Sequence, residues 1–176
     1  MVNRKRLVDN FIKLALIRSF SGEEKDVAMA VIEELRSMGF TDDCINIDAI
    51  GNIHVLLPGN TESLAPVVFC CHMDTVKPGE RIMPVIRNGI ISTDGTSILG
   101  ADDKAGIAAV LEMLRILIEK QISHGDIEII FTVMEENGMT GSKSLTYANI
   151  RSRIAYVADG SMRPGLLTTA SPYKNR

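Results

Sequence analysis

Apolar residues recur at helical spacing in two segments near the N-terminus. In residues 4–18 they are Leu7, Phe11, Leu14 and Ile17, which share one face at a period near 3.6. A second helical pattern begins at Ser21 and ends at Gly39, and Glu24 occupies its capping-box position. The pattern predicts two amphipathic helices in this part of the chain.

Short apolar runs between turn signals predict the strands. Two lie on either side of Gly51-Asn52 within residues 45–57, and a hairpin around Asn88-Gly89 occupies residues 82–91. Three further runs are continuously apolar and are typical of strands buried on both faces; they are residues 67–71, 127–133 and 154–158.

A broad apolar face over residues 104–120 predicts a long helix, and residues 139–148 predict a short one. Strands that alternate with helices favour an α/β fold, in which a mostly parallel sheet carries helices on both faces. The pattern leaves the order of the strands in the sheet open.

Composition narrows the class of protein. The 176 residues are 45% hydrophobic and carry a formal net charge of −3, which excludes a disordered chain and a strongly basic nucleic-acid binder. The longest apolar run is far shorter than the ~20 residues that span a bilayer, and no signal-peptide core is present. Three cysteines, two of them adjacent at Cys70 and Cys71, favour a reduced, cytoplasmic protein.

Metal-ligand side chains follow three of the predicted strands. His72 and Asp74 follow the first, Glu135 and Glu136 the second, and Asp159 the third. Because sites in open α/β sheets form at the carboxyl ends of the strands, we expect these side chains to lie together.

Asp102 and Asp103, in a glycine-bracketed loop before the long helix, are placed to reach the same edge. So many carboxylates beside one cation, Lys104, would raise one another's pKa values, and divalent cations would remove the repulsion. One imidazole with several carboxylates suits zinc, with manganese or cobalt as alternatives.

The spacing within two of these motifs suggests a division of roles. Asp74 is two residues after His72, so it can hold one imidazole nitrogen while the other binds metal. The adjacent side chains of Glu135 and Glu136 diverge, so one can bind metal while the other transfers a proton. This combination predicts metal-assisted hydrolysis.

Four motifs in this order resemble the co-catalytic zinc peptidases, the family that includes peptidase T, the glutamate carboxypeptidases and the aminoacylases, with the strongest likeness to peptidase T. The motifs are His72-Met73-Asp74-Thr75-Val76, Gly100-Ala101-Asp102-Asp103-Lys104-Ala105-Gly106, Glu135-Glu136-Asn137-Gly138 and Asp159-Gly160-Ser161. The resemblance covers essentially the whole chain.

The resemblance implies a tripeptidase-like aminopeptidase that hydrolyses short peptides with a hydroxide bridging two zinc ions. It assigns His72 and Asp159 to one zinc, Asp102 to the bridge between the ions, Glu136 to the second zinc, Glu135 to the general base and Asp74 to the orientation of His72. The choice of Asp102 over Asp103 as the bridge rests on the family motif alone.

Members of this family are longer. They carry a lid or dimerisation domain and then a second metal-binding histidine, so we expect residues 1–176 to be the N-terminal part of a single catalytic domain with impaired activity. His124 does not replace that histidine, because about 15 helical residues separate it from Asp102 by roughly 20 Å. His54 stays open as a replacement for that histidine, although we expect it to lie on a strand and to face solvent.

Two other functions remain open at this point. One is a related amidohydrolase or carboxypeptidase that acts on N-acyl amino acids, and the other is a non-catalytic metal- or partner-binding fragment. The expected partners are a short peptide substrate and, through uncovered apolar surface, further copies of the chain, but neither nucleic acid nor a membrane.

Overall fold

The helices and strands follow one another in the order that the hydrophobic pattern predicts. The computed structural model describes residues 1–160 of the chain. The helices are α1 (Arg4–Ala15), α2 (Lys25–Ser37), α3 (Ala101–Lys120) and α4 (Thr140–Lys143). The strands are β1 (Ile45–Ile47), β2 (Ile53–Leu57), β3 (Val67–His72), β4 (Val85–Arg87), β5 (Ile90–Ser92), β6 (Ile127–Thr132) and β7 (Ile154–Val157).

Five of the strands form one mixed sheet in the order β1-β2-β6-β3-β7. Strands β6 and β3 in the interior of the sheet and β7 at its edge are parallel to one another. Strand β2 pairs antiparallel with β6, and β1 pairs antiparallel with β2 at the opposite edge. The predicted α/β class with a mainly parallel central sheet is confirmed. The β4–β5 hairpin forms a separate two-stranded sheet.

Helices α1, α2 and α3 pack against one face of this sheet and form the apolar core with it. Alternate residues of β6 point into that core, and the buried side chains that meet there include Phe11, Leu14, Val31, Leu35, Ile107, Leu111, Ile129 and Phe131. The opposite face carries only the single turn of α4 and a short 3-10 turn at Tyr147–Asn149 among the described residues. The sequence predicts helices on both faces; among the described residues the second face carries only these short helical turns and is much less covered than the first.

Three local expectations from the sequence are wrong. Glu24 does not form a capping box: it makes no side-chain hydrogen bond as the N-cap of α2 and is used elsewhere. The helix expected over residues 139–148 is reduced to α4 and the 3-10 turn. Strand β7 is exposed at all four positions rather than buried, because among the described residues it has a neighbour only on its β3 side.

His54 lies on β2, and its ring is partly buried rather than facing open solvent. Its Nε2 is 3.2 Å from Oε1 of Glu128 on the neighbouring strand β6. In residues 1–160 we find no helix with the length and apolar character needed to cross a membrane.

Candidate metal centre

The parallel strands β6, β3 and β7 end at one edge of the sheet, and this register brings the candidate ligands together. His72, the last residue of β3, pairs with Thr132 at the end of β6. On the other side Cys70 pairs with Val157, and the backbone N–H of Ala158 donates to the Cys70 carbonyl at 2.9 Å. Asp159, one residue further along, is therefore carried to the same edge as His72.

The His72 ring is buried and held at both nitrogens. Nδ1 is 2.9 Å from the backbone carbonyl oxygen of Asp74 and 3.4 Å from its Oδ1, while Nε2 is 2.9 Å from Oδ1 of Asp102. A ring that donates from Nδ1 to a carbonyl presents Nε2 as the atom available to a metal. The sequence predicted that Asp74 orients His72 through its side chain; the nearer contact is through the main chain.

The buried carboxylate of Asp74 makes three further hydrogen bonds, in addition to the contacts of this residue with His72. Oδ1 accepts from the backbone N–H of Glu135 at 2.9 Å, and Oδ2 accepts from the N–H of Glu136 at 3.1 Å and from Ser21 Oγ at 2.6 Å. Burial alone would raise the pKa of Asp74, but hydrogen bonds from His72, Ser21 and these amides hold it below its usual value. Asp74 thus ties the β3 motif to the β6 motif.

Asp102 and Asp103 lie at the start of α3 but do not have helical backbone angles. Gly100, with φ +69°, turns the chain into this segment, and the peptide bond between the two aspartates is cis. The Asp102 side chain is 69% exposed and points to His72, whereas Asp103 is buried and accepts from the Gly106 N–H at 3.1 Å. The two neighbours are therefore separated into one carboxylate at the site and one beneath it.

Two overlapping groups of side chains could each hold a cation. The ligand atoms of His72, Asp102 and Asp159 lie within 4.8 Å of one another, and so do those of His72, Glu135 and Glu136. The first group has the composition that the family resemblance implies for one zinc ion. The structure thus gathers every predicted ligand and the predicted base at one edge, with His72 common to both groups.

The electrostatics of this cluster favour added positive charge. Burial raises the pKa of Glu135, Glu136 and Asp159, and neighbouring carboxylates raise it further, while His72 opposes the shift. Burial alone would lower the pKa of His72, but its hydrogen bonds with two aspartates raise it to about 10. Protonation and a bound divalent cation would therefore relieve the same repulsion among these carboxylates.

The donor set fits such a cation. One imidazole nitrogen with carboxylate oxygens is a combination that zinc, manganese and cobalt accept, and the donor atoms already lie close together. Among residues 1–160, His72 is the histidine that belongs to the cluster; His54 contacts Glu128 and the Nδ1 of His124 is 2.7 Å from the Gly125 carbonyl oxygen.

Sequence reasoning missed two residues that support the cluster. Ser21 donates to the Asp74 carboxylate, and Glu24 accepts from the backbone N–H of Met134. Asp103, which the sequence places at the same edge as Asp102, is buried, and its Oδ2 lacks a hydrogen-bond partner among residues 1–160. For Ser21 and Glu24 the Ser-x-x-Glu pattern was a genuine signal, but it was assigned to the helix cap instead of to tertiary contacts.

A groove of about 510 Å³ leads away from the cluster along the less covered face of the sheet. His72, Glu135 and Asp159 line one end of it, and the remainder is largely apolar, with Val68 and Ile130 among its walls. The cluster therefore opens onto a cavity of the size that takes a small organic molecule.

The sequence is similar to a known family and to several curated proteins. The profile described as peptidase family M28 matches residues 52–164. The chain is 40% identical over 98% of its length to the uncharacterized protein YqjE of Bacillus subtilis, and covers 47% of that protein. It is 29% identical to peptidase T of Geobacillus kaustophilus, with 89% of this chain and 48% of the relative covered.

The fold is also similar to those of solved peptidase structures. The aminopeptidase PepT of Bacillus cereus superposes with a TM-score of 0.86 at 37% identity, over 90% of this chain and 44% of that one. A tripeptidase of Staphylococcus aureus gives 0.86 at 34% identity, over 92% and 45%. An aminoacylhistidine dipeptidase of Vibrio alginolyticus gives 0.76 at 27% identity, over 93% and 34%. The chain spans about half the length of the curated relatives it matches.

Proposed function

Because the chain belongs to peptidase family M28, we propose that its acidic sheet edge is the metal-binding and proton-transferring part of a zinc-dependent, tripeptidase-like aminopeptidase. The observation that carries this proposal is the convergence of His72, Asp102, Asp159, Glu135 and Glu136 at one edge, with donor atoms within 4.8 Å in two groups. The similarity to peptidase T and to the tripeptidase structure supports the substrate class.

His72, Asp102 and Asp159 would hold one zinc ion, and Asp102 and Glu136 would hold the second. Zinc bound there supplies Lewis-acid chemistry: it polarises the scissile carbonyl and makes a water molecule acidic near neutral pH. Among residues 1–160 the cluster contains one histidine, His72, which is assigned to the first ion. We therefore expect the second ion to be held less tightly and this chain alone to be weakly active.

Glu135 is the proposed general base. Its backbone N–H is fixed by Asp74, and burial raises the pKa of its carboxylate towards neutral pH, which suits a group that must both take and return a proton. A Glu135 oxygen accepts a proton from the attacking water, and the same oxygen then donates it to the amine of the departing residue. Asp74 positions this carboxylate by holding the backbone on either side of it.

The substrate proposal follows from charge and shape. The carboxylates attract the ammonium group of a free peptide amino terminus, and the apolar groove accepts side-chain surface. The three free thiols, Cys44, Cys70 and Cys71, suit a reducing compartment, and we propose the cytoplasm.

Zinc stoichiometry of the purified chain, measured by elemental analysis and calorimetric titration, tests the metal part of the proposal. We expect one to two zinc ions per chain, and Asp102→Ala should weaken zinc binding by about tenfold or more. Asp43→Ala, which changes an exposed acid in the turn before β1, is the matched control and should bind as the parent does. A folded chain that binds no zinc would refute the proposal.

A second candidate is a related amidohydrolase. The structural likeness to the aminoacylhistidine dipeptidase supports dipeptides as its substrates, and the family resemblance in the sequence implies N-acyl amino acids. A panel of tripeptides, dipeptides and N-acyl amino acids separates the two activities. Preference for tripeptides with a free amino terminus supports the first proposal, and preference for acylated substrates supports the second. Zinc binding without hydrolysis of any substrate would favour a non-catalytic metal-binding fragment.

A further inference from the structure

Residues 17–24, which connect α1 to α2, contact three of the four segments that carry candidate metal-binding residues, the fourth being the one that carries Asp159. We name them the bracing segment. They contain no candidate ligand, yet they lie beneath the site, between the turns that follow β3 and β6 and the start of α3. Each of the three contacts is a hydrogen bond with at least one buried partner.

The first contact is with the segment that follows β3. Ser21 Oγ donates to Oδ2 of Asp74 at 2.6 Å, and Asp74 is fully buried. Two residues earlier, the Ser19 carbonyl accepts from the Thr75 backbone N–H at 2.8 Å, and Phe20 forms a parallel bridge with Thr75. Among the donors in residues 1–160, the Ser21 hydroxyl is the one that reaches the Asp74 carboxylate from outside the two motifs that Asp74 joins.

The second contact is with the segment that follows β6. The buried Glu24 carboxylate accepts through Oε1 from the backbone N–H of Met134 at 2.9 Å, and from Gly22 within its own segment at 2.9 Å. Met134 has a φ of +51°, a left-handed conformation that a side-chain-bearing residue adopts only when its surroundings hold it there. Glu135 and Glu136 follow immediately, so Glu24 fixes the point from which both carboxylates project.

The third contact is with the start of α3. The Lys104 side chain is completely buried, and its Nζ donates to the backbone carbonyl of Ile17. Lys104 directly follows Asp102 and Asp103, so this bond sets the distance between the aspartate loop and the bracing segment. Three segments that are far apart in sequence therefore share one short support.

We propose that the bracing segment sets the geometry of the metal-binding edge, with Ser21 and Glu24 as its positioning residues. This inference rests on the proposed function, because the geometry that matters is the one that a divalent cation would need. Without the Ser21 hydroxyl, Asp74 keeps its two amide contacts but loses the donor that fixes its rotation. The amides of Glu135 and Glu136 then bond to a less firmly held acceptor, so they open more often and both side chains are less well fixed relative to His72.

The test uses Ser21→Ala, which removes the hydroxyl, and Ser21→Thr, which restores one. The first readout needs no metal: hydrogen exchange at the amides of residues 134–136. Exchange should be about 3- to 10-fold faster in Ser21→Ala and close to the parent in Ser21→Thr. The second readout is a titration with Co²⁺, followed by its visible absorption. Affinity should fall about tenfold in Ser21→Ala and recover in Ser21→Thr.

Glu24 is tested in the same way with two variants of similar size. Glu24→Gln keeps an oxygen acceptor for the Met134 N–H and should behave as the parent in both readouts. Glu24→Met removes the acceptor and should give faster exchange at Met134 and weaker Co²⁺ binding.

Ser152→Ala is the matched control, because Ser152 Oγ donates to Oε2 of the buried Glu128 at the far end of β6. It should accelerate exchange near residues 151–153 but not at residues 134–136. Unchanged exchange and affinity in Ser21→Ala, or equal acceleration at residues 134–136 in Ser152→Ala, would overturn the inference. A parent chain that fails to bind Co²⁺ would refute the proposed function instead. The hydrogen-exchange measurements without metal would still show whether the bracing segment fixes residues 134–136.

Discussion

His72 is the residue on which both candidate ligand groups depend. Its Nδ1 meets a backbone carbonyl and its Nε2 meets Asp102, so the ring is fixed before any cation arrives. Glu135, Glu136 and Asp159 near this ring carry raised pKa values, which means that their ionised forms are disfavoured in the folded chain. The same side chains that would bind a cation thus destabilise the fold when no cation is present.

Glu136→Gln should separate these two effects. A carboxyl group whose pKa is raised by folding costs stability once it is ionised, so at neutral pH the neutral amide should slightly raise the melting temperature of the metal-free chain. The same change should weaken Co²⁺ binding by about tenfold or more. Thermal melts with and without chelator measure the first effect, and titration measures the second.

Glu119→Gln provides the comparison for that variant. Glu119 lies on α3 and its carboxylate is 2.6 Å from the Arg6 guanidinium, so its removal should lower the melting temperature slightly and leave Co²⁺ binding unchanged. If Glu136→Gln also lowers the melting temperature of the metal-free chain, repulsion within the cluster is not a significant cost.

At the scale of elements, the sequence predicted the strands and the three long helices well, because their apolar periodicity is strong and local. It also placed six candidate residues at strand ends and loops that the structure brings together, five as potential ligands and Asp74 through its hydrogen bonds to them. It failed where a polar residue had two possible uses: Glu24 fits a helix cap but bonds to Met134 instead. It also could not foresee that Asp74 meets His72 through its carbonyl, since any residue supplies that group.

A buried carboxylate also makes hydrogen bonds to another segment at the beginning of β6, the end opposite to the candidate metal centre. Glu128 is 1% exposed and accepts from Ser152 Oγ at 2.5 Å, from the backbone amides of Arg151 and Ser152, and from His54. Burial alone would raise its pKa, but these hydrogen bonds lower it below the usual value of 4.5. The carboxylate therefore holds the turn that leads into β7.

Glu128→Gln should lower the free energy of unfolding by about 1–2 kcal/mol at neutral pH. Because the pKa is lower in the folded chain than in the unfolded chain, the stabilisation is fully present above pH 4.5 and is lost as the pH falls through the folded value. The stability curves of the parent and the variant should thus converge in acid. Urea unfolding across this pH range measures both, with exposed Glu62→Gln as the control that should not differ from the parent.

At the scale of the whole molecule, the described residues cover the two faces of the sheet unequally. Three long helices lie on one face, whereas the other is a largely apolar groove. Strand β7 ends the sheet with an unpaired edge among residues 1–160, and its sequence Ile-Ala-Tyr-Val contains neither charge nor proline. Such an edge lacks the features by which sheets normally avoid pairing with another strand.

We therefore predict that the isolated chain associates with itself through β7 of a second copy. Val157 is 68% exposed on this strand, and Val157→Lys should raise the dissociation constant of the dimer by about tenfold. Ile90→Lys is matched to it, since Ile90 is 67% exposed on the separate β4–β5 hairpin, and should leave association unchanged. Sedimentation velocity at several protein concentrations gives both values; a parent chain that stays monomeric throughout would contradict the prediction.

The bracing segment also has a consequence for how the chain folds. Its hydrogen bonds join residues 53, 87 and 110 positions apart, to Asp74, Lys104 and Met134. Because contacts of such length close large loops, we expect them to form late in folding, and no structure built from neighbouring residues alone contains the complete cluster. A cation that needs the complete cluster would have nothing to bind before the rate-limiting step, and would slow unfolding far more than it would speed folding.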